Sequence, residues 1–546
     1  MSLRILLMLL LASGIICRAE ITMPAIFGDH MMLQQRTGAP VWGWAEPGEA
    51  VTVSGSWGES TSTTVGDDGT WKVFLQTPSY GGPYELTVEG ENRMVFSDVL
   101  IGEVWLCAGQ SNMGWRLTAT FGGAEEAKAA DYPGIRIFRS ERSHSHQPQR
   151  DVKADWKVCD SESAGTCSAV TYYFAKKLHE ELGVPIGVVL QPYAGTPIEG
   201  WMPRDIQLGD PFTRSDIEKM DAESAKYSLA AAEKQLDRQM QLFKEGNRRG
   251  EPKLRTPSNW GHQYPGNIFN GMIYPVRPFG IRGAIWYQGE RNAKHVAQAA
   301  NYVNQLPMMI SYYRSSWHEL SGGNVADDFP FYFAQLPSWL PEQSLPVDPH
   351  AAWAVSRESM RLVANSVPNT GTAVAVDTGD AINLHPKDKK PIGIRMAYLA
   401  LKGTYEQDIV DRGPWYRSHE IRGNRIVVHF DSVGSGLLTG RSGALDAFAI
   451  AGNDQKFVWA DAKIEGDSIV VSSDEVGSPV AVRYAWADNP SMRNLLYNKE
   501  GLPATPFRTD DWPLYDSENY IPVEQIKPKT PDGYVQVEID RPKMTQ

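Results

Sequence analysis

The strongest constraint in this chain is a pattern repeated four times: a short apolar run that stops at a polar loop. The runs are Val104–Ala108, Ile186–Leu190, Ala284–Tyr287 and Thr372–Val376. Helical stretches such as Ala169–Leu182 lie between them. Strands buried on both faces read as continuous apolar runs, and helices alternating with them cover those faces. The expectation is an α/β core with a mainly parallel sheet. In such a sheet, ligands bind beyond the carboxyl ends of the strands, where these polar loops lie.

The flanks differ in texture. Residues 20–97 carry short alternating runs, such as Val51-Thr52-Val53 and Trp71-Lys72-Val73-Phe74, between Gly- and Pro-rich turns. That spacing predicts an N-terminal β-sandwich-like domain. The α/β region is expected over 98–412. Residues 204–257 interrupt it, and Ser215 to Gly246, rich in Ala, Lys, Glu, Gln and Leu, are expected to be helical. From 413 to 546, runs such as Arg425–Phe430, Phe457–Trp459 and Ser468–Val471 predict a second β region, ending in a surface tail.

Residues 1–19 read as a secretory signal. Arg4 supplies a positive start, and the apolar run Ile5–Ile16 is short for a membrane span. Cleavage is expected near Ala19, giving a secreted or periplasmic protein. A lipoprotein signal at Cys17 is disfavoured, because Ile16 stands where a small residue belongs. No later apolar stretch reaches transmembrane length. The net charge of −12 argues against a nucleic-acid partner. Beyond the signal three cysteines remain, and Cys159 and Cys167 are close enough in sequence to pair in an oxidising compartment. There is no Cys-x-x-Cys and no pair of His at helical spacing, so no metal is expected.

The chemistry resides in the four loops. Gly109-Gln110-Ser111-Asn112-Met113 follows the first run and offers a hydroxyl nucleophile, with a following helix to aim N–H groups at an oxyanion. Met113 departs from the Gly-x-Ser-x-Gly elbow. In the second loop, Gly195 allows close backbone approach to a ligand. In the third, Gln288 or Asn292 can donate a hydrogen bond to developing negative charge, with Glu290 between them. The fourth holds His385, the general base that a serine nucleophile requires. Asp380 and Asp377 are candidates to orient it. One sheet edge would carry all four loops, which is the convergence acyl transfer needs.

GQSNM at 109–113, AGTPIEGW at 194–201, FNGMIYPVRPFGIRGAIWYQGERN at 269–292 and NLHPKDKKPIGIRMA at 383–397 resemble the sialate O-acetylesterase family. That family belongs to the SGNH hydrolases and is related to the acetylxylan esterases of carbohydrate esterase family 6. The resemblance runs from about residue 21 to 512. It implies a three-layer α/β/α, flavodoxin-like core with accessory β regions, and cofactor-free, metal-independent hydrolysis of acetyl esters on sugars. By motif position, Ser111 matches the nucleophile, His385 the base and Gly195 an oxyanion glycine. Many SGNH enzymes carry an Asp three residues before the His, where this chain has Ile382. The orienting acid is then expected to be Asp380, followed by Asp377 and Glu290. Their third block usually reads Gly-x-Asn-Asp, against Gly289-Glu290-Arg291-Asn292 here, so Gln288 competes with Asn292 as donor.

The expected function is carboxylic ester hydrolysis on an O-acetylated carbohydrate, through an acyl-enzyme on Ser111. Acetylxylan esterase and non-catalytic carbohydrate binding are the alternatives; a lipase or thioesterase would want a broad apolar pocket. Trp115, Trp201 and Trp286 are candidates to stack on sugar, and Arg116 or Arg291 to meet a sugar carboxylate.

Overall fold

The computed structural model describes residues 20–248, 250–348, 351–441, 443–514 and 530–545. The expected signal, including Cys17, lies outside the described residues.

Alternation builds the N-terminal region. Strands β1 (Met32–Gln34), β2 (Gly38–Trp44), β3 (Ala50–Gly55), β4 (Ser60–Thr64), β5 (Thr70–Gln76) and β6 (Gly81–Glu89) precede the long β7 (Arg93–Gly109). β2 pairs with β5, while β3 joins β4 and β6, and β6 joins β7. Val51, Val53, Val73, Leu75, Leu86 and Val88 point inward into one core. β7 then continues past residue 97. Its first half pairs antiparallel with β6, and its second half, from Glu103 to Gly109, pairs parallel with the central sheet. One strand therefore serves both regions, and one apolar cluster spans them.

The central sheet adds β8 (Tyr132–Arg139), β9 (Trp156–Cys159), β10 (Ile186–Pro192), β11 (Gly283–Tyr287), β12 (Phe331–Ala334) and β13 (Thr370–Ala373). Its order is β13-β12-β11-β7-β10-β8-β9, parallel except for β9 at one edge. The apolar runs are continuous because both faces are covered. Val104, Leu106 and Ala108 face the helices Val296–Leu320 and Ala352–Ser366. Trp105 and Cys107 face the helices Ala169–Leu182 and Lys390–Gly403. The expected α/β class with parallel sheet is what the chain forms.

Three local expectations change. The fourth run ends as a strand at Ala373, and Val376–Thr378 is a turn of 3-10 helix. The segment after Ser111 is turns and a short 3-10 helix, Leu117–Ala119, so no α-helix aims its N-terminus there. The Ser215–Gly246 stretch forms two helices, Pro211–Ala225 and Leu229–Lys244. Ser228 separates them because its side chain accepts the N–H of Ala231 as an N-cap.

Cys107, Cys159 and Cys167 are free thiols, all buried in the second apolar cluster, so the Cys159–Cys167 pair is not formed. Burial pushes Cys159 above the ordinary thiol range and Cys167 up to about 12, which suppresses the thiolate needed for exchange.

The C-terminal β region has two four-stranded sheets around one core. Ile426, Val428, Ile450, Val471 and Val482 fill it, together with Val374 and Val376 from just beyond β13. The region is thus seated on the start of the loop that carries His385. Residues 530–545 run largely exposed over the surface, pinned by the buried Gln536 and the nearly buried Arg541. Among the described residues, no helix is long and apolar enough to cross a membrane.

Candidate functional site

Ser111 stands just beyond the carboxyl end of β7, the strand flanked by β10 and β11. Gly109 makes the exit possible. Its φ is 146°, and a Cβ there would lie 2.2 Å from the carbonyl oxygen of Tyr287. Only glycine fits a strand turning this close to its neighbour. Gln110 then locks the turn: its N–H donates to Tyr287 at 3.0 Å, and its side-chain oxygen accepts the N–H groups of Gly289 and Arg291 at 3.3 Å.

His385 lies on the loop between β13 and the helix Lys390–Gly403. Its Nε2 is 2.8 Å from Ser111 Oγ. Its backbone N–H donates to the Asn383 side chain at 2.9 Å, and its ring stacks on Trp115 with centroids 4.7 Å apart and planes 8° from parallel. Both Ser111 and His385 are half-buried. The hydroxyl and the imidazole, 274 residues apart in sequence, meet at hydrogen-bond distance.

The backbone N–H groups of Ser111 and Gly195 have no hydrogen-bond acceptor among the described residues. Gly195 adopts a φ of 74°, faces open space, and follows Tyr193, whose N–H is bound to Gly109 O at 2.9 Å. Unengaged backbone donors are the groups an oxyanion site uses.

The third-block residues do something else. Gln288 is fully buried, and its amide donates to Thr196 O at 3.0 Å and to Asn292 Oδ1 at 2.8 Å. With both amide hydrogens engaged, it has none for a substrate. Asn292 is also buried. It accepts the N–H of Ile198 at 2.9 Å and donates to Glu199 at 2.9 Å. Together they brace the segment that carries Gly195.

Glu290 accepts from Asn112 Nδ2, and the same Asn112 amide donates to Leu384 O at 3.2 Å. Asn112 therefore ties the Ser111 turn, the third block and the residue before His385. Sequence reasoning passed over it; its place directly after Ser111 was the available signal. Burial raises Glu290 to about 7, although Asn112 and the nearby Lys389 oppose this. Burial also lowers Lys389 to about 7, against the pull of Glu290 and Asp388.

The acids expected to orient His385 have other partners. The Asp380 carboxylate accepts the backbone N–H groups of Ile382 at 2.8 Å and Asn383 at 2.6 Å, and the hydroxyl of Tyr534. It shapes the loop rather than touching the imidazole. Asp377 is fully buried and forms a bidentate pair with Arg395 at 2.6 and 2.7 Å. Burial alone would raise its carboxyl, but Arg395 and Arg541 hold it below the ordinary range.

Trp201 and Trp286 are fully buried and pack edge to face, so neither meets a sugar; Trp115 is part-exposed on His385. Arg291 donates to Gln263 at 2.9 Å, and neither it nor the exposed Arg116 pairs with a described carboxylate. A cavity of about 360 Å³ lies alongside, lined by Pro197, Glu199, Gln263, Arg291 and Asn292. No cluster of metal-ligating side chains occurs among the described residues.

This arrangement has relatives. A family profile described as carbohydrate esterase, sialic acid-specific acetylesterase, matches residues 101–231. The chain is 28% identical over 516 residues to the sialate O-acetylesterase of Rattus norvegicus, covering 88% of this chain and 92% of the rat protein. It is 27% identical over 530 residues to that of Homo sapiens, covering 90% and 93%. Its structure is similar to that of a carbohydrate acetylesterase from Xanthomonas citri, with a TM-score of 0.75 and 34% identity. That match covers 90% of this chain and 100% of the other.

Proposed function

The chain belongs to the sialate O-acetylesterase family of carbohydrate esterases, and we propose that it releases acetate from O-acetylated sugars with Ser111 as nucleophile and His385 as general base. The observation that carries this reading is the 2.8 Å contact between Ser111 Oγ and His385 Nε2. His385 takes the Ser111 proton as Oγ bonds to the acetyl carbonyl carbon. The N–H groups of Ser111 and Gly195 hold the resulting oxyanion. His385 returns the proton to the departing sugar oxygen, leaving acetyl-Ser111. Water then loses a proton to His385 and attacks the acyl carbon; acetate departs as Ser111 Oγ regains its proton.

Gln288 and Asn292 serve by bracing the Gly195 segment, Glu290 by holding Asn112, and Asp380 by forming the loop that presents His385. None of these steps requires a cofactor. The part-exposed Trp115 and Arg291, which has no carboxylate partner among the described residues, suit a polar sugar. The same reading includes export, on the strength of residues 1–19, which an N-terminal sequence of the mature protein beginning near residue 20 would support.

The direct test is Ser111→Ala, assayed by acetate release from a panel of acetylated glycans and from an activated acetyl ester. Turnover should fall by roughly 10⁴-fold or more with the melting temperature unchanged. Retained turnover removes Ser111 from the mechanism. Glycan binding without acetate release by the unaltered protein would favour a binding role instead.

A further inference from the structure

The loop that carries His385 is tied to the body by Asp380 N–H on Ser338 O at 2.9 Å, by Asn112 on Leu384 O, and by Phe121 N–H on Lys387 O at 3.2 Å. Besides the Ser111 and Trp115 contacts of His385 itself and the packing of Leu384 on the Trp339–Trp353 cluster, the loop has a set of contacts from the far end of the chain. The Tyr534 hydroxyl donates to Asp380. Gln536 Oε1 accepts the Lys387 N–H at 3.0 Å. Arg541 donates to Asp377 O at 2.8 Å and to the Asp388 carboxylate. These contacts grip the loop on both sides of His385, at 377 and 380 before it and at 387 and 388 after it.

The far end is itself anchored. The Thr545 N–H donates to Glu500 O at 3.2 Å, and Met544 packs against the second apolar cluster. The segment adds no strand to any sheet. A cleft of about 800 Å³ remains between it and the helices behind, lined by Lys177, Glu180, Lys390 and Tyr398. Apart from the Thr545–Glu500 bond, the segment's described hydrogen bonds to the body fall on the His385 loop.

We propose that residues 531–545 form a strap that sets the position of the general base, with Arg541 and Gln536 as positioning residues for His385. The proposal rests on the Ser111–His385 reading above. The physical reason is that His385 sits beyond an edge strand, where no neighbouring strand can hold it. A displacement near 1 Å at a catalytic group costs about 10²-fold in rate. Ties on both flanks of His385 restrict that displacement.

The test uses the full-length enzyme. Arg541→Ala and Gln536→Ala should each lower kcat on a small activated acetyl ester by about 10- to 100-fold, with KM within about twofold. The rate at which a sulfonyl fluoride modifies Ser111 should fall in parallel, since that reaction needs the same base. Arg541→Lys, which keeps one donor and the charge, should recover part of both rates. Unchanged kcat and labelling in both alanine variants, measured on folded protein, overturn the proposal. So does a loss of kcat that only tracks the unfolded fraction. The underlying reading fails separately, through turnover retained by Ser111→Ala.

Discussion

Ser111 and His385 face each other across 2.8 Å but are held in opposite ways. Ser111 ends the strand at the middle of the sheet, with hydrogen-bonded neighbours on both sides and apolar layers above and below. His385 follows β13, the strand at the sheet's edge, on a loop shaped by side chains. Asp380 bridges two of its N–H groups, Asn383 holds the His385 N–H, and residues from 534 to 541 press on it from outside. Ser111 is positioned by backbone and packing, and His385 by a polar network. Backbone ladders give way all at once, whereas side-chain networks can be loosened one bond at a time.

This contrast can be broken from either side. The largest effect is expected for Gly109→Ala. The new Cβ would meet Tyr287 O in a backbone conformation that L residues rarely adopt, so the central strand itself must shift. A stability loss of about 5 kcal/mol, read by urea unfolding, should accompany loss of activity. A variant with normal stability would show that the sheet does not set Ser111.

Asp377→Asn comes next. It leaves Arg395 buried without its ionised partner, which should cost about 3 kcal/mol. The pH dependence has a definite sign. Because the folded Asp377 carboxyl is held below the ordinary 3.8, its contribution is complete above that value and is lost as pH falls below it. The stability gap between the two proteins should be constant near neutrality and close in acid; a gap that widens in acid contradicts the assignment.

The smallest effect belongs to Asp380→Ala. Two loop N–H groups lose their acceptor, a change of about 1–2 kcal/mol that is local to the loop. The expected result is a kcat lowered by about tenfold with nearly unchanged thermal stability. A loss as severe as that of Ser111→Ala would mean that Asp380 acts on the imidazole itself.

The sequence showed where chemistry could occur better than it showed which atoms would meet. The apolar runs before Ser111, Gly195 and Gln288 predict the carboxyl ends of their strands within a residue or two, because double-sided burial leaves a local signature, although the first strand begins as far back as Arg93. The run before His385 extends to Val376 while its strand ends at Ala373, because Val374 and Val376 are apolar for another reason: they fill the C-terminal core. The β12 strand Phe331–Ala334 is not among the expected runs. Gln288 and Asn292 were recognised as near the chemistry, yet their hydrogen bonds run to Thr196, Ile198 and Glu199, a choice no local pattern encodes.

By itself, then, the sequence determined the α/β class, the central strands and the identities of the hydroxyl, the imidazole and the open glycine, since burial periodicity and motif order are written along the chain. Only the tertiary structure decided which acid faces which partner, that Asn112 joins three loops, and that the last residues return to the His385 loop. Those outcomes depend on groups from a few to about 270 residues apart coming within about 3 Å, where hydrogen-bond energy falls steeply with distance and angle.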